Sequence, residues 1–351
     1  MVRRAPGPGV VRRAPGPGVV RRAPGPGAVR LAAVDVGTNS TRLLVADVAG
    51  GVLVAEHARE LEITRLGKGV DRHGRFDPAA LARTLEVLAG HADTCRRLGV
   101  ARLRVVATSA TRDAANRQVL LDGVRDLLGV EAEVLTGQAE AAAAYRGATA
   151  GGLWGDRADA VEVPGLGGGQ PTLVVDIGGG STELILGDGA TATATVSLDI
   201  GCVRLFERHL HSDPPAAGEL VALRADVAAQ LDRVADVLDP AAARRVVGVA
   251  GTVTTVTAMA LGLEAYDPRR IHRATVDASE IAAAAGKLAA MTVAERAALP
   301  FMARGREDVI AAGALLLDEL VRRFNLPQVI ASEADILDGV LLGLAAGATG
   351  G

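Results

Sequence analysis

Aromatic residues are 2% of the 351-residue chain, one tryptophan, two tyrosines and four phenylalanines, and lysine occurs only at Lys68 and Lys287. The stacking platforms that hold single-stranded nucleic acids are therefore scarcely available, and nucleic acid is not the expected partner. Cysteine is as scarce. Cys95 and Cys202 are too few for a disulfide framework and read as small buried thiols. Mean hydropathy is +0.26, but Ala, Val and Leu are dispersed among 38 Lys and Arg and 41 Asp and Glu. No apolar run approaches the roughly 18 residues of a membrane span, and no signal-peptide apolar region opens the chain. The expected setting is the cytoplasm, without a membrane. The 49% of hydrophobic residues is ample for a core and excludes disorder of the whole chain.

Charge is unevenly spread. Residues 1–28 carry six arginines and no acid, so the remainder holds 32 Lys and Arg against 41 Asp and Glu, a net of −9. After Met1 they are three copies of a nine-residue unit beginning at Val2, Val11 and Val20, each with two prolines and two glycines. Such a composition is expected to preclude helix and ladder and to give a disordered basic tail. The arginines suit either a polyanion-gripping arm or a plain solvated tail. The globular body is expected from about Val29.

Along that body, Leu31–Val36 and Leu43–Val48 flank a polar loop as a β-hairpin, with a third strand at Val52–His57. Helices are expected over 78–97 and 113–128, strands at 103–107 and 131–135, and an alanine-rich helix over 138–148. Residues 149–170, glycine-rich and holding Trp154, read as a loop. Strands follow at 172–177, 182–186, 191–198, 245–250 and 328–331, and helices to Leu263 and over 279–290, 306–324 and 334–346.

The hairpin recurs. Val34-Asp35-Val36-Gly37-Thr38-Asn39-Ser40-Thr41 overlies Val175-Asp176-Ile177-Gly178-Gly179-Gly180-Ser181-Thr182 at a constant offset of 141, which implies an internal duplication with equivalent loops across a cleft. A tight loop with inward N–H groups is an anion nest, and glycines let the backbone approach phosphate. Gly37, Thr38, Asn39, Ser40, Gly178, Gly179, Gly180, Ser181 and Thr182 are therefore candidate phosphate-binding residues, with Asp35, Asp176 and Glu183 as candidate metal ligands. One Asp-x-Gly alone is an ordinary turn; two in register are more specific. The dinucleotide fingerprint fits poorly, because a β-like Thr182-Glu183-Leu184-Ile185 follows the glycines where that motif needs a helix. His209-Leu210-His211 is a poor zinc spacing and reads as solvated surface histidines.

These loops resemble the phosphate-binding hairpins of the actin, sugar-kinase and heat-shock-chaperone ATPase superfamily, a duplicated ribonuclease-H-like α/β fold of two lobes. Within it the chain resembles the exopolyphosphatase and guanosine pentaphosphate phosphohydrolase family from about Leu31 to Ala346. Further matching segments are Ala107-Thr108-Ser109-Ala110-Thr111-Arg112-Asp113, Asp199-Ile200-Gly201-Cys202-Val203-Arg204-Leu205, Ala250-Gly251-Thr252 and Ala331 through Gly339. The resemblance implies lobe I over 29–138, completed by a C-terminal helix at 334–347, lobe II over 139–333, and the short two-domain form of the family.

It also implies removal of terminal phosphate from inorganic polyphosphate or from guanosine pentaphosphate (pppGpp), with Mg2+, or Mn2+ in its place, and a homodimer. The family's water-activating carboxylate falls in Gly137-Gln138-Ala139-Glu140-Ala141, which makes Glu140 the base, with Ala139 departing from the usual acid. By itself a first-turn Glu merely complements a helix dipole. Arg112 is implied as a phosphate clamp and Arg204 as a weaker one, while Gly251 and Thr252 admit nucleotide or further phosphate chain. Sugar- or acetate-type kinases and actin-like ATPases remain the competing classes.

Overall fold

Two hairpins of one design organise the chain. The structure, a computed structural model, describes residues 10–12, 23–154, 161–163, 165–166, 168–189 and 191–347. The first half runs β1 Val10–Arg12, β2 Val29–Val36, β3 Ser40–Ala49, β4 Val52–Ile63, α1 Val70–His73, α2 Pro78–Leu98, β5 Arg102–Ala107, α3 Ser109–Asp113, α4 Arg117–Leu128 and β6 Ala132–Val134. Helix α5, Gly137–Thr149, leads through β7 Gly152–Trp154 and β8 Val161–Val163 to the second half. There β9 Thr172–Ile177, β10 Thr182–Gly187 and β11 Ala192–Leu198 precede α6 Cys202–His209, α7 Ala217–Leu231, β12 Arg245–Val249 and α8 Ala250–Ala260. The chain continues with α9 Pro268–Ile271, β13 Thr275–Asp277, α10 Ala278–Ala290, α11 Val293–Ala297, α12 Ile310–Arg323, β14 Gln328–Ala331 and α13 Ile336–Ala346.

The sheets have orders β6-β5-β2-β3-β4-β7-β8 and β11-β10-β9-β12-β14-β13. In each, an antiparallel three-strand meander is extended beside its first strand by parallel strands, β5 and β6 in one, β12 and β14 in the other. The ladders repeat the offset of 141 residue for residue: Val36 pairs Thr41 as Ile177 pairs Thr182, and Asp35 faces Arg42 as Asp176 faces Glu183. Strand β9 is buried at every position and β2 at all but Val29, as continuous apolar runs between covering layers require.

The helices that cover and join the sheets are fixed by local chemistry. Asp77 caps α2 by accepting from Ala80 N, Pro78 occupies its first turn and Gly99 ends it in the left-handed region. Helix α5 is thin enough to serve both halves: Ala143 and Ala144 pack with Leu44, Val106 and α13, while Ala141, Tyr145 and Ala148 pack with Val174, Ile185 and Val249. It meets α13 backbone to backbone, since a Cβ on Gly147 would lie 1.8 Å from Asp335 O and one on Gly339 1.8 Å from Ala143 O. Helix α13 is tied to the first sheet by Ile336, Leu337, Val340 and Leu341, and by Arg59, whose Nη2 donates to Asp338 Oδ1 at 2.7 Å.

Several expectations are corrected. Within the basic repeat, Val10–Arg12 pairs antiparallel with Glu60–Glu62 of β4. A ladder is therefore compatible with this composition, because the junction between two units brings Val10 and Val11 together free of Pro and Gly; the rest of residues 1–22 lies outside the described residues. The loop expected over 149–170 contains the β7–β8 pair, with Gly152 opposite Val163. The helix expected over 113–128 is two, separated at Ala114–Asn116, where Ala115 N donates to Gly74 O and Asn116 Oδ1 accepts from Phe76 N at 2.8 Å. Helix α12 starts at Ile310 instead of 306, and α6 and α7 were not expected at all. Among the described residues, no helix is long and apolar enough to cross a membrane.

Candidate active site

The turns of the two hairpins close identically, Gly37 N donating to Ser40 O at 2.9 Å and Gly178 N to Ser181 O at 3.0 Å. They meet across one cleft. Asp35, Gly37, Thr38, Asn39 and Ser40 line one wall and Asp176, Gly178, Gly179, Gly180 and Ser181 the other, and Gly251 and Thr252 at the start of α8 line the same cleft. Contact between the walls demands glycine: a Cβ on Gly180 would fall 2.6 Å from Ser109 Oγ and 2.7 Å from Thr38 Oγ1. Ala250 enters the same cleft with φ of +67°, a left-handed conformation that an alanine holds only where its surroundings impose it.

Glu140 reaches the cleft from the first turn of α5, whose N-cap Thr136 accepts from Ala139 N at 3.2 Å. Its carboxyl is buried, and Arg112 Nη1 donates to Oε2 at 2.6 Å and to Leu135 O at 2.8 Å. Burial pushes Glu140 up to about 7, against the lowering effect of Arg112. Asp176 is pushed up to about 8 by burial and by Asp335 and Glu140, and Asp35 is raised by burial while Arg42 opposes it. Burial works against the charge of Arg42, yet Asp335 and Asp35 outweigh it and keep the guanidinium protonated. Arg42 Nη2 donates to Asp35 Oδ2 at 2.6 Å, and Nη1 pairs with Asp335.

Not every candidate meets there. Thr182 is fully buried and spends its hydroxyl on Ile200 O at 2.7 Å. Glu183 does not line the cleft; it lies beneath, accepting from Ser197 Oγ at 2.7 Å, with its carboxyl raised by burial and then by Glu140 and Asp176. Arg112 does not line the cleft either, and its Nη1 is engaged with Glu140 and Leu135 O. Arg204 binds Gly180 O, Asp71, Asp113 and Ser109 beside the cleft. His209 is half-buried and sits 2.8 Å from Asp226 instead of standing free in solvent, while His211 is exposed. Cys95 and Cys202 are buried thiols.

Four polar lining residues, Arg42, Thr108, Ser109 and Arg306, were not picked out from the sequence, nor was Asp335, which is bonded to Arg42 behind them. All but Arg306 lie within or next to the quoted segments. Arg42 had the plainest signal, a lone cation one step beyond the hydroxyls of the first hairpin and opposite Asp35 in the ladder.

Among the described residues no group of three or more His, Cys, Asp or Glu is arranged as a metal cage. Mg2+ does not require one, since it keeps several waters and takes one or two carboxylates plus phosphate oxygens. Asp35 Oδ1 is buried with no hydrogen-bond partner, and Asp176 faces the same cleft, so two hard oxygen donors fit such an ion. Glu183, engaged below the cleft, does not fit as a third.

The Ppx/GppA phosphatase family pattern matches residues 43–347. The chain is 44% identical over 328 residues to Exopolyphosphatase 2 of Mycobacterium tuberculosis H37Rv, which covers 90% of this chain and 98% of the relative. A solved exopolyphosphatase-like protein superposes with a TM-score of 0.82 at 35% identity, covering 91% of this chain and 100% of the other. The Ppx/GppA family member of Aquifex aeolicus gives a TM-score of 0.74 at 27% identity, covering 92% and 100%. The α/β fold of two sheets, each led by one copy of the hairpin, is thus that of these Ppx/GppA structures. The chain belongs to the Ppx/GppA phosphatase family and is a hydrolase of phosphoric anhydride bonds.

Proposed function

We propose that the protein is an exopolyphosphatase, releasing terminal orthophosphate from inorganic polyphosphate by in-line attack of a water activated by Glu140. The supporting observation is the convergence on one cleft of two in-register phosphate loops and a buried carboxylate raised to about 7. A base near that value is matched to neutral pH. Arg112 holds one Glu140 oxygen and leaves the other to take the proton of water. Peptide N–H groups and the hydroxyls of Thr38 and Ser40 offer donors to the phosphoryl oxygens, which carry the charge of the transition state. Asp35 and Asp176 would hold a Mg2+, which when bound supplies neutralisation of phosphate charge. Gly251 and Thr252 border the part of the cleft left for the rest of the chain.

The test is phosphate release, with and without Mg2+, from polyphosphate, guanosine pentaphosphate and ATP, by the wild type and by Glu140→Gln. Mg2+-dependent release from polyphosphate that is lost in the variant is the expected result. Release from guanosine pentaphosphate alone would exchange the substrate and keep the mechanism. Turnover of ATP alone, indifferent to Glu140, would overturn both in favour of a kinase or an actin-like ATPase.

A further inference from the structure

Helix α6 does something that the proposed reaction does not use. Its start is fixed to the glycine loop of the second lobe, Cys202 N donating to Gly178 O at 3.0 Å and the N–H groups of Val203 and Arg204 to Gly179 O at 2.9 and 3.2 Å. Its outer side faces the segment of the first lobe that braces Thr38, where Gly67 N donates to Thr38 O at 2.8 Å and Gly69 N to Glu207 Oε1 at 2.9 Å. Arg204 stands in the seam. Its Nε donates to Gly180 O at 2.9 Å on one side; on the other, Nη2 donates to Asp113 Oδ2 at 2.6 Å and Ser109 Oγ at 3.2 Å, and Nη1 pairs with Asp71. Arg208 adds a second guanidinium to Asp71, Nε to Oδ2 at 2.8 Å and Nη2 to Oδ1 at 3.0 Å.

Arg204 is not a lining residue, yet Gly180 and Ser109, which it joins, lie on opposite walls of the cleft. A guanidinium is a rigid planar fork whose donors keep fixed mutual angles. Four acceptors from two lobes satisfied by one fork allow a single spacing of the walls. The Arg204 side chain is 11% exposed, so its ion pairs are screened less than surface pairs. We propose that Arg204 is a positioning residue for the reaction proposed above, on which this inference rests: it sets the separation of the two phosphate loops by joining Gly180 on one wall to Ser109, Asp71 and Asp113 on the other. Ser109 and Asp113 are the two ends of α3, so the same fork also seats the helix from which Arg112 reaches Glu140.

The experiment pairs small-angle X-ray scattering of the ligand-free protein with phosphate release from polyphosphate, for wild type, Arg204→Met, Arg204→Lys and Asp71→Asn. Arg204→Met is expected to show a larger radius of gyration and a kcat/KM reduced about 10²-fold, the scale of a misplacement near 1 Å. Arg204→Lys, which keeps the charge without the fork, falls between, and Asp71→Asn moves both readouts the same way by less. Wild-type scattering from Arg204→Met overturns the proposal whatever its activity, since activity lost without opening marks a phosphate ligand. Should Arg204→Met not fold, unchanged scattering of Asp71→Asn overturns it equally. If the wild type releases no phosphate from polyphosphate, the reaction assignment fails while the scattering still decides whether Arg204 holds the walls.

Discussion

Burial raises the proton affinity of Glu140 and Asp35 adds to it, while Arg112 and Arg42 lower it, and the balance at about 7 is what makes it usable. Glu140→Gln keeps the shape and removes the basicity; a loss of turnover of roughly 10²- to 10⁴-fold is expected, and near-normal turnover by the folded variant would refute the assignment. Arg112→Met tests the opposing side. Removing the cation raises the affinity of Glu140 for its proton, so the base ionises at higher pH and the acid limb of kcat/KM moves upward. An unmoved limb in a pH-rate profile would show that another group titrates. Glu140 was not legible from its own residue type, since a first-turn Glu also satisfies a helix terminus; the matched segments around it identified it. Its bond to Arg112 spans 28 residues and exists only in the folded chain, which no local pattern encodes. The Asp35–Arg42 pair, by contrast, follows from the ladder that the hairpin pattern already implies.

At the scale of elements, the hairpins were readable because each is a continuous buried run interrupted by turn residues, and the offset of 141 survives as ladder register. The break at Ala114–Asn116 was not, because it is made by hydrogen bonds with the distant Gly74–Phe76 turn. Nor were the two facings of α5, whose alanines give no amphipathic contrast. Helix α13 buries Val340 and Leu341 completely against the first sheet. Leu341→Ala is expected to cost about 2–5 kcal/mol, the usual price of an unfilled core site, read as a shift in denaturant midpoint. Gly339→Ala should be as damaging despite adding one methyl, because the Cβ meets the backbone of α5; stability equal to wild type would mean that the helices separate readily.

For the whole molecule, the buried acids make stability depend on pH in an unusual direction. Native Asp176 near 8 and Glu140 near 7 lie above their ordinary values of 3.8 and 4.5, so the folded state binds more protons than the unfolded one between those limits. Their contribution therefore falls as pH rises from about 4 to about 8. Metal-free protein should lose melting temperature over that range, Asp176→Asn should flatten the trend, and Mg2+ should raise the melting temperature more at pH 8 than at pH 5. A metal response independent of pH would argue against Asp176 as a ligand. The helix between the lobes carries a mechanical corollary. Helix α5 is gripped on both sides, backbone to backbone by α13 at Gly147 and Gly339, and toward the second sheet by the buried ring of Tyr145, whose hydroxyl accepts from Gly189 N at 3.3 Å. It is a rivet through the two halves, and on the proposed mechanism the acid at its tip keeps one place relative to both.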